Sequence, residues 1–309
     1  MSDGSRKEEV LIEALPYIQT YEGKTFVIKY GGAAMTDEGL KQTFAKDVTI
    51  LRKIGINIVI VHGGGKELTE TARALGIQTR FVDGQRYTDD QMIEVVLMVL
   101  AGLINKEIVS LINTNGGNAT GLCGVDNMLL RARKLSSNGT DLGLVGEIIS
   151  VNVPYLNLLL QNGMMPVIAP IGVGESGRLY NINADLAAGS IAAALGAEKL
   201  VYLSDTEGVL VNNKLVSTLT KSESDKLMRE GAIFGGMIPK VTSAFKTLEA
   251  GVKKVHIIDG RIKHSLLLEI FTDEGIGTQM VPGTEAARGG MVGGAMNQLQ
   301  QNTALRSNE

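Results

Sequence analysis

The chain reads as an α/β protein built on a mainly parallel sheet, and three features predict this. Two short apolar runs, TFVIKYGG from Thr25 to Gly32 and NIVIVHGGG from Asn57 to Gly65, have strand length and end in glycines. A segment of helical period joins them, with Leu40, Phe44, Val48, Leu51 and Ile54 on one face before Gly55. Strand and helix patterns then keep alternating, which is βαβ logic with right-handed crossovers.

Each element follows from a local pattern. Residues 8–20, EEVLIEALPYIQT, make an amphipathic helix kinked or divided at Pro16. Thr25–Lys29 is the first strand, 37–54 the crossover helix, and Lys66–Leu75 a helix after the second strand, stopped by Gly76. RFVDGQRY over 80–87 is a hairpin about Asp83-Gly84, and Thr88 with Gln91 forms a capping box for a long helix reaching about Asn113. Strands are expected over 128–134, 146–151 and 165–169, with a helix over 154–162. The pattern restarts at Asn181, where Asn183 or a neighbour caps an alanine-rich helix ending at Gly196. Leu200–Ser204 is a strand, Asn212-Asn213 turns a hairpin, and helices begin near Ser222 and span 239–250. Lys254–Ile258 is a strand, His264–Phe271 a helix, and the last strand lies near 278–281. GVGESGRLY over 172–180 is the expected boundary between two lobes of one continuous sheet, and the tail from Pro282 is expected to be disordered.

Composition narrows the function. With 309 residues and 44% hydrophobic content the chain can bury a large core in one or two domains. A net charge of −3, 4% aromatics and no Trp argue against a nucleic-acid partner, which needs a basic stripe or a stacking platform. The lone Cys123 excludes a disulfide framework, is read as a small buried apolar residue, and fits a reducing cytoplasm. No consecutive apolar run reaches about 18 residues and no signal peptide opens the chain, so a cytoplasmic protein with no membrane partner is expected.

The chemistry concentrates at strand ends. A strand that runs into glycines presents backbone N–H groups with no Cβ in the way, so an anion can approach the main chain. Two such cradles at one sheet edge suit a phosphoryl group in transit. Lys29 is either a strand-end residue reaching solvent or a charge aimed into the cleft, and Gly31-Gly32 beside it favour the second. Lys240, in GGMIPK, follows a Gly235-Gly236 turn and a proline suited to opening a helix, so it faces either solvent or phosphate. Arg86 after the hairpin is either a surface residue or a bidentate carboxylate clamp. In NINADLAA, Asn183 or Asp185 caps a helix, or Asn181 binds substrate while Asp185 orients the lysines. His62 is read as structural, and no His or Cys cluster has metal-site spacing.

Together, KYGGAAM, VIVHGGG, GQRYT, NINADLAA, LSDTEGVL, GGMIPK, HIIDGR and LLLEIFTDEGIGT resemble the amino-acid-kinase family over residues 13–281. Within it they are most similar to the branch that phosphorylates N-acetyl-L-glutamate in arginine biosynthesis. The resemblance implies a three-layer αβα sandwich, with an N-terminal helix over 1–22, an acyl-substrate lobe over 23–180, a nucleotide lobe over 181–282 and a tail over 283–309. It implies ATP as phosphoryl donor, with Mg²⁺ carried mainly by ATP. Lys29 and Lys240 then steady the phosphoryl group, and Asp185 organises them. Gly31 and Gly32 bind the phosphate, and Gly64 and Gly65 the acyl substrate, through backbone N–H groups. Arg86, Asn181 and Asn183 meet the acyl substrate, while Ser204, Asp205, Gly208, Gly235 and Gly236 line the nucleotide site. Lys66 after HGGG and Tyr87 after Arg86 depart from the commonest wording of the family, and neither removes a catalytic group.

The N-terminal helix resembles that of the arginine-inhibited, hexameric members, in which three dimers form a ring. Tyr17, Glu269 and Gly275 match positions around bound arginine there, and the resemblance leaves open a PII-type signalling partner. The rival readings are a carbamate, aspartate or UMP kinase of the same fold, and a silent module that only binds amino acid or nucleotide. A dinucleotide dehydrogenase is disfavoured because no GxGxxG opens a helix with an acidic residue about 20 places on.

Overall fold

The computed structural model describes residues 12, 14–82, 84–136, 140–272 and 275–283. A helix, α1, over 14–21 leads into β1 (Thr25–Tyr30), α2 (Glu38–Lys53), β2 (Asn57–His62) and α3 (Gly65–Ala74). The hairpin β3 (Phe81–Val82) and β4 (Gln85–Arg86) precedes α4 (Asp90–Val96), which continues through a π-helical stretch, Leu97–Ile104, into α5 (Asn105–Thr114). Then come β5 (Ala119–Cys123), β6 (Leu130–Lys134), β7 (Gly146–Val151), α6 (Val153–Gln161), β8 (Met165–Ala169), β9 (Ile171–Val173) and β10 (Leu179–Asn181). The second half holds α7 (Ala184–Leu195), β11 (Lys199–Ser204), β12 (Leu210–Val211), β13 (Lys214–Leu215), β14 (Thr218–Leu219), α8 (Lys221–Arg229), α9 (Met237–Glu249), β15 (Lys254–Asp259), α10 (Ser265–Phe271) and β16 (Thr278–Met280).

Eight strands form one sheet in the order β14-β16-β15-β11-β1-β2-β8-β5, parallel except where β16 meets β15. Strand alternation divides the core in two. Phe26, Ile28 and Tyr30 pack on one face with residues of α2, α5 and α10, while Val27, Val59 and Val61 pack on the other with α6, α7 and α9. This is the expected three-layer αβα sandwich. Each fully buried Ile or Phe contributes about 1.5–3 kcal/mol. Lys29 shares the parity of Val27 and therefore belongs to the α7 face. Neighbours β1 and β11 send the chain to opposite sides, toward β2 and β15, so a crevice opens at their carboxyl ends.

Several expectations need correction. The N-cap before α4 is Asp89, whose carboxylate accepts from Met92 N–H at 2.8 Å, whereas Thr88 is buried and donates its hydroxyl proton to Arg86 O. The 172–180 segment, expected as a lobe boundary, lies in the hairpin where β9 and β10 pair antiparallel and join β6 and β7 in a second, four-stranded sheet; that pairing neither places nor removes a boundary there. Strand β5, ATGLC, is missing from the sequence reading because Ala and Gly carry little β-propensity. The helix over Asp90–Thr114 is long and apolar enough to cross a membrane; it buries Val96, Val99, Leu100, Ile104, Ile108 and Ile112 in the core and leaves Leu97, Met98 and Leu103 exposed. Asp83, residues 1–11 and the tail from 284 lie outside the described residues, as does the expected disorder of that tail.

Candidate active site

Helix α7 opens against the Lys29 face. Asn183 is its N-cap, accepting from Asp185 N–H at 2.9 Å and Leu186 N–H at 3.2 Å, so this side-chain oxygen is spent on the helix. Asp185 in the first turn meets two cations: Lys29 Nζ lies 3.1 Å from Oδ1 and Lys240 Nζ 3.8 Å from Oδ2. Burial would raise the Asp185 pKa, but the two ammonium groups outweigh it and hold the carboxyl below its usual range. Lys240 arrives from the first turn of α9, whose N-cap Gly236 makes no side-chain cap and whose Met237 and Ile238 N–H groups turn back to Phe234 O and Gly235 O, each at 3.3 Å. A Cβ on Gly31 would sit 2.7 Å from Lys29 Nζ, so glycine clears the lysine's path.

The glycine cradles flank this triad. Gly32 adopts φ +69° beside Asp205, which follows β11 and accepts Ala33 N–H at 2.5 Å. Asp205 thus latches the first cradle to the second half of the sheet. Gly64 adopts φ +149°, and a Cβ there would collide with Leu100 and Ile104 of the π-helical stretch. Helix α3 starts at Gly65 with no side-chain cap, so its N-terminal N–H groups are open to an anion.

Arg86 and Asn181 are brought together through a residue the sequence reading used elsewhere. Arg86 is buried against α3, with Nη2 donating to Gly65 O and Thr69 Oγ1, each at 2.8 Å, while Nη1 is buried without a partner. Asn181 Nδ2 donates to Thr88 Oγ1 at 3.1 Å, and Thr88 donates in turn to Arg86 O. A buried guanidinium arm lacking an acceptor is the donor an acidic ligand would satisfy.

On the other side of Lys29 and Lys240 lies a cavity of about 620 Å³, lined by Gly32, Ser204, Asp205, Gly208, Phe234 and Gly236 among others. Gly235, at φ +56°, turns the loop without lining it. Gly208, at φ +146°, lets the chain pass close to Thr278, whose Oγ1 accepts Val209 N–H at 2.8 Å. Phe234 is 73% exposed at the rim, a signal visible only in three dimensions. Among the described residues no three His, Cys, Asp or Glu side chains converge as a metal cage. With Asp185 and Asp205 both engaged, the acidic groups here fit a divalent ion carried by a nucleotide better than one caged by the chain.

Residues 24–259 match the model of the amino acid kinase family. The chain belongs to that family. It is 58% identical over 272 residues to the acetylglutamate kinase of Chlorobaculum tepidum, covering 88% of this chain and 95% of that one. It is 52% identical over 295 residues to the acetylglutamate kinase of Aquifex aeolicus, covering 91% and 99%. Among solved structures, N-acetylglutamate synthase from Neisseria gonorrhoeae complexed with coenzyme A and N-acetyl-glutamate aligns with a TM-score of 0.79 at 29% identity, over 88% of this chain and 63% of that longer one. A carbamate kinase from Giardia lamblia bound to AMP-PNP aligns over 84% of this chain and 99% of its own, with a TM-score of 0.60 at 16% identity, which shows a shared fold.

In this amino acid kinase family member a second polar cluster lies under α1. Tyr17 packs edge-on to Phe271 with ring centroids 6.5 Å apart. Glu269 is buried and fully engaged: Oε1 meets His256 Nδ1 at 2.5 Å, and Oε2 accepts from Ile276 N–H at 2.7 Å and Gly277 N–H at 3.2 Å. Gly275, at φ +62°, passes against the same carboxylate. The sequence reading missed Lys199 and His256 here. Lys199 is buried over the Tyr21 ring at 4.6 Å, and among the described residues no carboxylate lies within ion-pair distance of its amine. Burial pulls the Lys199 pKa down to about 8. A lysine standing inside an apolar strand pattern, as in EKLVYLS, is the signal that could have found it.

Proposed function

We propose that this enzyme transfers the γ-phosphoryl group of ATP to the γ-carboxylate of N-acetyl-L-glutamate, giving N-acetyl-L-glutamyl 5-phosphate in arginine biosynthesis. The observation that carries this reading is the 58% identity to an acetylglutamate kinase over 88% of this chain and 95% of that one. The geometry supplies the chemistry. A γ-carboxylate is already ionised at neutral pH, so it attacks the γ-phosphorus without a base. Its oxygen–phosphorus bond forms as the bond to the β,γ-bridging oxygen breaks, and ADP leaves with that electron pair.

Catalysis then rests on placement and charge. Lys29 and Lys240, bridged by Asp185, flank the transferring group, the N–H groups of Gly31 and Gly32 cradle its oxygens, and those of Gly64 and Gly65 meet the acyl substrate. Arg86 and Asn181 hold the acyl substrate, Arg86 through its unpartnered arm. Asn183 acts mainly by capping α7, which aims Asp185. The nucleotide occupies the cavity lined by Ser204, Asp205, Gly208 and Gly236. Mg²⁺ on its phosphates would neutralise charge on the leaving group.

A finer part of the proposal concerns control. Arginine, the end product, inhibits by binding where Tyr17, Glu269 and Gly275 meet, in a hexamer built of three dimers. Lys199 supports this reading, because a bound amino acid's carboxylate could pair with that buried amine, which among the described residues has no carboxylate at ion-pair distance. Calorimetric titration with a non-hydrolysable ATP analogue present tests the substrate assignment. N-acetyl-L-glutamate should bind at least about tenfold tighter than L-glutamate or L-aspartate; equal binding of free glutamate would contradict it.

A further inference from the structure

The cradle after β2 is fixed from beneath by a polar pair set in an apolar core. His62 ends β2, Asn105 stands where the π-helical stretch gives way to α5, and both are fully buried. Asn105 Nδ2 donates to Val167 O at 2.9 Å and lies 3.4 Å from Leu122 O and 3.2 Å from His62 Nε2. Its Oδ1 accepts from Lys106 Nζ at 3.0 Å. These neighbours decide which way the amide faces: flipped, its oxygen would confront two carbonyls and its nitrogen an ammonium. Gly121 makes the space, since a Cβ there would collide with Asn105 Oδ1.

An amide nitrogen only donates, so His62 Nε2 must accept, and the ring proton sits on Nδ1. Nδ1 lies 2.8 Å from Gly63 O and donates to it. Burial keeps the ring neutral, with its pKa pushed down to about 4. In a planar trans peptide the N–H points opposite to the C=O. Anchoring Gly63 O to the buried ring therefore turns the Gly64 N–H away from the core, and among the described residues no acceptor takes it.

We propose that His62 and Asn105 are positioning residues for phosphoryl transfer. Asn105 selects the His62 tautomer, and His62 sets the peptide plane from which Gly64 N–H meets the acyl substrate. This rests on the reading that the second cradle holds that substrate. It also gives the π-helical stretch a purpose: Leu100 and Ile104 press on Gly64 while Asn105, one residue on, holds His62.

Two measurements test it. The chain has three histidines, so ¹⁵N-histidine labelling, with His62 assigned by its loss in a His62→Asn variant, reads the tautomer directly. A neutral Nδ1–H ring at pH 7 is expected, and an Nε2–H or charged ring would overturn the proposal. In kinetics, His62→Asn keeps a donor near the Nδ1 position, whereas His62→Gln places its amide at the Nε2 end and leaves Gly63 O without a donor. His62→Gln should raise KM for N-acetyl-L-glutamate about tenfold with KM for ATP within about twofold, and His62→Asn should stay within about threefold of wild type. Equal KM values in the two variants, or a parallel rise for both substrates, would overturn it. If the wild-type enzyme does not phosphorylate N-acetyl-L-glutamate, the functional reading fails, while the tautomer result still judges the His62–Asn105 mechanism.

Discussion

Lys29 at the end of β1 and Asp185 at the start of α7 form an ion pair of 3.1 Å across 156 residues of sequence, counted as 185 − 29. The pair exists because strand parity turns Lys29 toward the α7 face and Asn183 caps α7 so that Asp185 lies in its first turn. Lys240 completes it from α9 at 3.8 Å, leaving two ammonium groups fixed at the mouth of the cavity.

Lys29→Ala and Lys240→Ala should each lower kcat by about 10²–10³ with the fold retained, because both charges act most strongly in the transition state. Steady-state kinetics alongside thermal melting checks this. A variant with near-normal kcat would remove that lysine from the mechanism.

Arg86→Lys keeps the positive charge but loses the planar fork that reaches Gly65 and Thr69 and leaves Nη1 free. KM for N-acetyl-L-glutamate should rise about tenfold or more, and KM for ATP should change little. Equal effects on both would argue against a carboxylate clamp.

Much of this site was legible in the sequence, and the gaps have physical causes. Strand-to-glycine runs mark both cradles because glycine takes φ +69° at Gly32 and φ +149° at Gly64 without the strain an L side chain would bring. Asn183 was readable as a cap from its place before an alanine-rich helix. Thr88 was misread because Ser/Thr-x-x-Gln scores as a capping box whether or not the threonine faces solvent, and here tertiary burial hands the cap to Asp89. The π-helical stretch has no periodic signature, since Leu97–Ile104 is apolar all round. The Asn105–His62 contact joins residues 43 apart, beyond any local pattern.

Stability should depend on pH through His62. A buried histidine whose pKa falls from about 6.5 to about 4 binds its proton less readily when folded than when unfolded. Its contribution is therefore complete above about pH 6.5 and lost progressively as the pH falls toward 4, by up to about 3 kcal/mol. Urea unfolding at pH 7.5 and pH 5 should show this loss in wild type and a smaller one in His62→Asn. The same pH dependence in both would refute the assignment.

Deleting residues 1–20 should leave an active enzyme of dimeric size that arginine no longer inhibits. The motive is the exposed apolar face of α1, with Leu15 at 50% exposure, beside the Tyr17 and Glu269 cluster. Arginine can act only by binding one assembly geometry better than another. Light scattering and inhibition curves decide it, and a truncated hexamer still sensitive to arginine would refute the mechanism.

The most direct test of the account is an acyl-phosphate assay, in which product formed with ATP is trapped by hydroxylamine and N-acetyl-L-glutamate, L-glutamate and L-aspartate are compared as acceptors. The account predicts rapid hydroxamate formation with N-acetyl-L-glutamate, at least about a hundredfold less kcat/KM with the other two, and loss of that signal in Lys29→Ala. Comparable rates with free glutamate or aspartate, or no hydroxamate from N-acetyl-L-glutamate, would contradict it.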